Sequence, residues 1–406
     1  MRTVFAWIII ALAAVALFTA CADIEKTDIV TGTSTRAVSV ALGDAHSCAP
    51  LSDGLAECWG RNNIGQLGNT TPLQSLVPVE VAGLSSVVEM TGGGAHTCAR
   101  LSDGTLRCWG DNSSGQLGNA SNSSSTGPVA PIGITSAVSV SAGGDHTCVA
   151  LQSGAVMCWG SNSSSQLGNG TTANSSTPVQ VSSITNAASV SAGGNHTCAL
   201  LSDGTARCWG GNAFGQLGNG AIINSSVPVA VQGLTGATQV SAGANHTCAV
   251  VSNGAVECWG DNSGGQLGVS WTLISLSPLV EITVSTVPVT AASSSITTAA
   301  SVSAGGDHTC AIVADGRVRC WGENAFGQLG NGTTIGFDPP GIGASSTSTI
   351  VPVSASGVTN ATSVDAGLFH SCARINDASV KCWGENSYGQ LGDGSGIDSL
   401  TPVSVE

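Results

Sequence analysis

The stretch Ala188-Ser-Val-Ser-Ala-Gly-Gly-Asn-His-Thr-Cys-Ala-Leu-Leu-Ser-Asp-Gly-Thr-Ala-Arg-Cys-Trp-Gly210 runs on as Gly211-Asn-Ala-Phe-Gly-Gln-Leu-Gly218. After a polar loop comes Val227-Pro-Val-Ala-Val231. Four short strands can be read in it. They are the alternating Ser189-Val-Ser-Ala192, the apolar Cys198-Ala-Leu-Leu201, a run into Cys208-Trp209, and the Pro-containing Val227–Val231. Gly193-Gly194 and Asp203-Gly204 supply turns between them. The pattern recurs along the chain. His-Thr-Cys or His-Ser-Cys begins at His46, His96, His146, His196, His246, His308 and His370, which accounts for every His. The starts are 50, 50, 50, 50, 62 and 62 residues apart. Four strands repeated about every fifty residues are the blade arithmetic of a β-propeller. The expected fold is therefore all-β, a seven-bladed propeller over residues 37–406.

The two ends of the repeat region suggest how the ring closes. The first unit starts at Ala37-Val-Ser-Val40 with no Pro-Val strand before it, and the chain ends on Thr401-Pro-Val-Ser-Val405. The expectation is that this C-terminal strand completes the first blade and removes an exposed edge.

Each unit carries two cysteines ten residues apart, the second always in Cys-Trp-Gly. The pairs are Cys48 with Cys58, Cys98 with Cys108, Cys148 with Cys158, Cys198 with Cys208, Cys248 with Cys258, Cys310 with Cys320, and Cys372 with Cys382. In the first unit the two are symmetric about Asp53. A three-residue loop Ser52-Asp53-Gly54, with Gly54 left-handed, sets them opposite each other on antiparallel strands. Facing residues about 4.5 Å apart at Cα can carry a disulfide, and an exported compartment permits oxidation. The pleat then sends each Trp to the other face of the sheet, toward the neighbouring blade. The cysteine spacing lacks the short Cys-x2–4-Cys steps of structural zinc sites, so no metal is expected. A His repeated seven times answers a repeated structural need rather than forming one catalytic constellation.

Together, Val-Ser-Ala-Gly-x-x-His-Thr, Asp-Gly, Trp-Gly and Asn-x-x-Gly-Gln-Leu-Gly resemble the regulator-of-chromosome-condensation repeat, over about residues 37 to 406. The resemblance implies a seven-bladed propeller. Family members include a nucleotide exchange factor for the small GTPase Ran, chromatin binders and a secreted bacterial inhibitor of β-lactamases. The paired cysteines resemble an exported bacterial branch of the family.

The chain has 406 residues, 55 of them Gly and 15 Cys, with 11 basic and 25 acidic residues and a formal charge of −14. Such sparse charge excludes a coiled coil, and the acidic balance excludes the positive footprint that a nucleic-acid backbone requires. Residues 1–20 read as a lipoprotein-type signal peptide: Arg2, then the apolar run Val4–Phe18, too short to span a bilayer, then Leu17-Phe-Thr-Ala-Cys21. Cys21 is the odd cysteine and the expected lipidation site, with 21–36 as a lipid-anchored tether. The expected location is the bacterial cell envelope, at the outer membrane or cell surface. A cut after Ala22 would instead give a secreted protein.

Functional candidates are the positions where the units differ. Before the His stand Ala45, Ala95, Asp145, Asn195, Asn245, Asp307 and Phe369, a mildly acidic rim if these loops ring the axis. Within Asn-x-x-Gly-Gln-Leu the variable residues include Phe214, Phe326 and Tyr388, candidate partner anchors. The two long units break the period after Gly-Gln-Leu-Gly, at 269–293 with Trp271 and at 333–350 with Phe337. Loops on a rigid scaffold are where binding evolves. The expected function is a non-enzymatic, monomeric interaction scaffold, or ligand-binding lipoprotein, without cofactor or nucleic acid. It would contact the membrane through its lipid alone and present one loop face to a protein or envelope ligand. The alternatives are a secreted enzyme inhibitor and, implied by the family alone, an exchange factor for a small GTPase.

Overall fold

The His-to-Trp segment of each unit folds as the hairpin that its spacing requires. In the computed structural model, which describes residues 36–406 except 71–72, 271–283, 292–295, 297 and 335–346, His196 faces Gly210, Thr197 faces Trp209 and Cys198 faces Cys208. All seven expected cysteine pairs are bonded, at Cα separations of 4.0–4.1 Å: Cys48 to Cys58, Cys98 to Cys108, Cys148 to Cys158, Cys198 to Cys208, Cys248 to Cys258, Cys310 to Cys320, and Cys372 to Cys382. The turn is the expected one: Leu51 N bonds to Leu55 O, Gly54 N bonds to Leu51 O, and Gly54 has φ +84°.

Seven four-stranded antiparallel sheets result, each in chain order from inner to outer strand. Blade 4, for example, comprises Ala187–Ala192, His196–Leu201, Ala206–Gly210 and Ser225–Ala230. Strand alternation sorts the connections onto two faces. The loops from first to second strand and from third to fourth strand emerge together on one face, called here the loop face. The hairpins from second to third strand and the connections to the next blade emerge on the other.

The expected closure is not what the sheets show. The C-terminal strand Ser399–Ser404 pairs with Val380–Gly384 of its own blade, Cys382 facing Val403. The first blade already has its fourth strand, Gln74–Glu80, with Val79 facing Cys58. Every Pro-Val run follows a Cys-Trp-Gly run and pairs back onto it, so seven complete units leave no strand to exchange. Side-chain hydrogen bonds, with one backbone bond from Gly394 N to Leu76 O at 3.0 Å, join the last blade to the first instead.

The core lies between blades. Trp209 is fully buried among Val156, Leu167, Val181 and Ile184 of blade 3, and its Nε1 donates to Gln166 O at 2.9 Å. The same bond, at 2.8–2.9 Å, is made by Trp59, Trp109, Trp159, Trp259, Trp321 and Trp383. Burial of a Trp removes some 150–250 Å² from water, about 4–6 kcal/mol of favourable transfer at each junction. This contact also explains one glycine of the repeat. A Cβ on Gly168 would stand 2.6 Å from the Trp209 ring, and the residue has φ +64°.

Candidate interaction face

The axis is built from the Ala-Gly-x-x-His loops. His46 Nε2 meets Thr97 Oγ1 of the next blade, and the contact repeats around the ring until His370 Nε2 meets Ser47 Oγ, each at 2.8–2.9 Å. Each hydroxyl also bonds to the carbonyl oxygen of a Gln in the preceding blade, as Thr97 does with Gln66 O at 2.9 Å. A hydroxyl has one proton, and the carbonyl can only accept. The hydroxyl therefore donates to the carbonyl and accepts from Nε2–H, which fixes the neutral Nε2–H tautomer and leaves Nδ1 a buried lone pair with no partner. Burial, with added repulsion from neighbouring imidazoles at most of them, holds these rings down to about 3, and His196 and His308, by burial alone, to about 4. They form a structural belt and are closed to solvent.

Inside the belt, the loop glycines together with Leu42 and Leu368 line an axial cavity of about 100 Å³. Loop amides are spent on neighbouring loops, as in Gly194 N to Gly243 O at 3.1 Å and Gly306 N to Gly367 O at 3.0 Å. The cavity thus offers no cluster of free amides for an anion. At its mouth Asp44 is exposed, yet crowding by the surrounding loops and the charge of Asp145 push its carboxyl up to about 6 against the opposing pull of Arg61.

Charge is divided unevenly between the faces. The loop face carries Asp44, Asp145 and Asp307 in its inner loops and Asp111, Asp261, Glu323, Glu385, Asp393 and Asp398 in its outer ones. Arg61 is the one base among the described residues of those loops. Arg100, Arg107, Arg207, Arg317, Arg319, Arg374 and Lys381 lie in or beside the opposite hairpins. Burial, together with Asp261 and Glu323, raises the Asp307 carboxyl. Burial and Asp398 raise that of Glu385.

The aromatic candidates are distributed unequally on this face. Phe326 of blade 6 and Phe369 of blade 7 touch, with ring centroids 5.1 Å apart and planes tilted by 42°. Tyr388 of blade 7 stacks beneath the Arg61 guanidinium of blade 1, 4.9 Å from its centroid. Phe214 stands apart on blade 4, 38% exposed. Trp271 and Phe337 lie outside the described residues, as do the signal sequence and Cys21, although the described ends of both long loops open on this face.

Sequence reasoning passed over Arg61 and two glutamines. The buried Gln116, Gln166 and Gln266 side chains reach Asp145, Asn195 and Asp307 in the next blade, at 3.4–3.5 Å. Next to Gln328 and Gln390 the corresponding residues are Phe369 and Ala45, and among the described residues their buried Nε2 groups have no acceptor. Aligning the units column by column would have exposed the mismatch.

The fold and this face define a seven-bladed propeller of Gly-Gln-Leu-Gly repeats. The chain belongs to the RCC1-like domain family, whose model matches residues 135–406, more than half of its length. Regulator of chromosome condensation (RCC1) repeats match 53–100, 103–150 and 87–116. The structure is similar to yeast RCC1 (Prp20) solved bound to Kap60, with TM-score 0.75 and 21% identity, covering 92% of this chain and 85% of that one. It is also similar to human WBSCR16, with TM-score 0.72 and 22% identity, covering 87% and 94%. These likenesses carry the fold. Among curated relatives, the human E3 ubiquitin-protein ligase HERC2 is 30% identical over 118 residues, 29% of this chain and 2% of that protein. The Arabidopsis thaliana ultraviolet-B receptor UVR8 is 31% identical over 105 residues, 26% and 22% respectively. The matched stretch is thus a small part of either relative.

Proposed function

We propose that this propeller is a non-enzymatic interaction module of the bacterial envelope, lipidated at Cys21, monomeric, and binding a protein or envelope ligand through its loop face. The observation that carries the reading is the concentration of departures from the repeat on that face: Phe326, Phe369 and Tyr388, nearly unopposed carboxylates, and both long loops. The core, His belt and hairpins are instead repeated almost unchanged. Seven cross-strand disulfides fit an oxidising compartment. Yeast Prp20p, a structural neighbour, is described with binding properties to Gsp1p and histones, which supports protein recognition by such propellers without identifying the partner here.

Affinity capture from envelope extract tests the reading, comparing the full chain with one in which both long loops are trimmed to the fifty-residue period. Loss of a specific captured component, with the thermal transition unchanged, is expected. Equal capture by both chains would remove the long loops from the site. Intact-mass measurement of the native protein reads the state of Cys21 directly.

A further inference from the structure

Blades 6, 7 and 1 form one sector of the loop face in which three independent features coincide. The first is an apolar centre: the touching, half-buried Phe326 and Phe369, with Leu368 preceding Phe369 in the chain and Tyr388 in the outer loop of the same blade 7. The second is a carboxylate surround of Asp307, Glu323, Glu385 and Asp44, set against the single guanidinium of Arg61. The third is the pair of buried Gln328 and Gln390 amides, 1% and 0% exposed, whose NH2 groups point where three other junctions place an Asp or Asn acceptor and here find none. A buried donor without an acceptor is costly, and native proteins rarely keep one without a reason. An apolar centre inside a charged rim is also the anatomy of a protein interface.

From this juxtaposition we infer that the blade 6–7–1 sector is a docking site for a basic polypeptide segment of a partner protein. The partner's Lys or Arg side chains would meet the carboxylate surround, an apolar side chain would seat on Phe326 and Phe369, and a shift of Phe369 on docking would open the buried Gln328 amide to a main-chain carbonyl of the segment. The inference rests on the loop-face reading and narrows it to one sector and one partner chemistry. Phe214, alone on blade 4, has no such surround and is left outside the site.

The test is fluorescence anisotropy with the full chain and three labelled twelve-residue peptides. One alternates Lys/Arg with Trp and Leu, the second replaces its bases with Glu, and the third is oligolysine. The first should bind, and raising the salt concentration should weaken it. The acidic peptide should not bind, and oligolysine should bind at least about tenfold more weakly, as expected when an aromatic anchor is left unfilled. Phe369→Asn gives Gln328 the acceptor that Asn195 gives Gln166. The variant should therefore keep or raise the thermal midpoint while weakening the first peptide about tenfold or more. Glu323→Gln with Glu385→Gln should also weaken it, and Asp103→Asn with Asp203→Asn on the opposite hairpins should not.

Failure of the first peptide to bind, equal binding of all three peptides, or indifference to Phe369→Asn would overturn the inference. Capture from envelope extract separates the two levels. If Phe369→Asn leaves capture intact while loop trimming abolishes it, this sector falls and the loop-face reading stands. If neither change affects capture, both fall.

Discussion

His370 Nε2 lies 2.9 Å from Ser47 Oγ, so the last blade grips the first through the same bond that joins every other neighbouring pair. Trp59 Nε1 adds its bond to Gln390 O at 2.9 Å, and Arg374 Nε donates to Ala37 O at 2.9 Å. The ring closes by repeating its ordinary junction, with one substitution on the inner strands. At five junctions a hydroxyl of Thr91, Ser141, Ser191, Ser241 or Ser303 accepts the amide of the next inner strand, at 2.9–3.1 Å. At the closing junction Asp365 takes the hydroxyl's place.

The Asp365 carboxylate accepts Leu42 N at 2.8 Å on one oxygen, and Ser303 Oγ at 2.8 Å on the other. It thereby ties blades 6, 7 and 1 together. Asp365→Ala leaves Leu42 N without its acceptor and should cost about 1–3 kcal/mol. Asp365→Ser, which restores the group used at the other junctions, should recover most of that loss. Urea denaturation of the oxidised protein checks both, and equal stability of the three proteins would refute a closing role for Asp365.

Acid should weaken the propeller through the His belt. The folded rings are held near 3 to 4, while an unfolded His titrates near 6.5. Above 6.5 both states are neutral and nothing is lost. As pH falls from 6.5 toward 4, the unfolded chain takes up protons that the folded one refuses, so stability falls. One pH unit below 6.5 this is about 1.4 kcal/mol per His. Asp365 opposes the trend: burial outweighs its hydrogen bonds and pushes its carboxyl up to about 6. The folded state is thus relieved of a buried charge as pH drops through 6 toward the carboxyl's ordinary range. Asp44, likewise raised to about 6, and the raised carboxyls of Asp307 and Glu385 act in the same sense as Asp365, but the seven members of the belt outweigh them, so denaturation midpoints should drop steeply from pH 7 to 5. A midpoint flat over that range would contradict the neutral, buried belt.

The seventh hairpin departs from the others at its tip. Ala378 adopts φ +73° where the equivalent Gly54, Gly104, Gly154, Gly204, Gly254 and Gly316 have φ between +74° and +84°. A Cβ in the left-handed region costs roughly 1–2 kcal/mol. Ala378→Gly should recover much of it, less the entropy that glycine gains in the unfolded chain, for a net rise of about 1 kcal/mol. Differential scanning calorimetry should show a higher midpoint, and a lower one would contradict the strain.

Blade number, strand order within a blade, the cysteine pairs and the outward throw of Trp were legible because each follows from a spacing repeated seven times. Closure was not. The local pattern predicts a strand at Thr401–Val405, and only the observed pairing of Val403 with Cys382 shows that it folds back on its own blade. The site was half legible. Phe326, Phe369 and Tyr388 stand out as departures from the repeat, but that Phe326 meets Phe369, and that Arg61 covers Tyr388, depends on which loops adjoin across a blade junction. Asp365 and the acceptorless Gln328 look ordinary in sequence, since their meaning lies in a partner more than forty residues away.

The disulfides should resist reduction for as long as the blades stay folded. Every paired cysteine is fully buried, as Cys198 and Cys208 are in the core between blades 4 and 5, so a thiol reaches the sulfur only after the hairpin opens. Each ring spans a separation of ten residues, and restricting so short a loop in the unfolded chain is worth about 2–3 kcal/mol on the loop-entropy model. Replacing both Cys198 and Cys208 with Ala should therefore lower stability by about that amount and leave the other six bonds intact. In native buffer, dithiothreitol should reduce the wild-type bonds at a rate that follows unfolding and rises with urea, as read by alkylation and mass measurement. Rapid reduction without denaturant would show that the hairpins open independently of the ring.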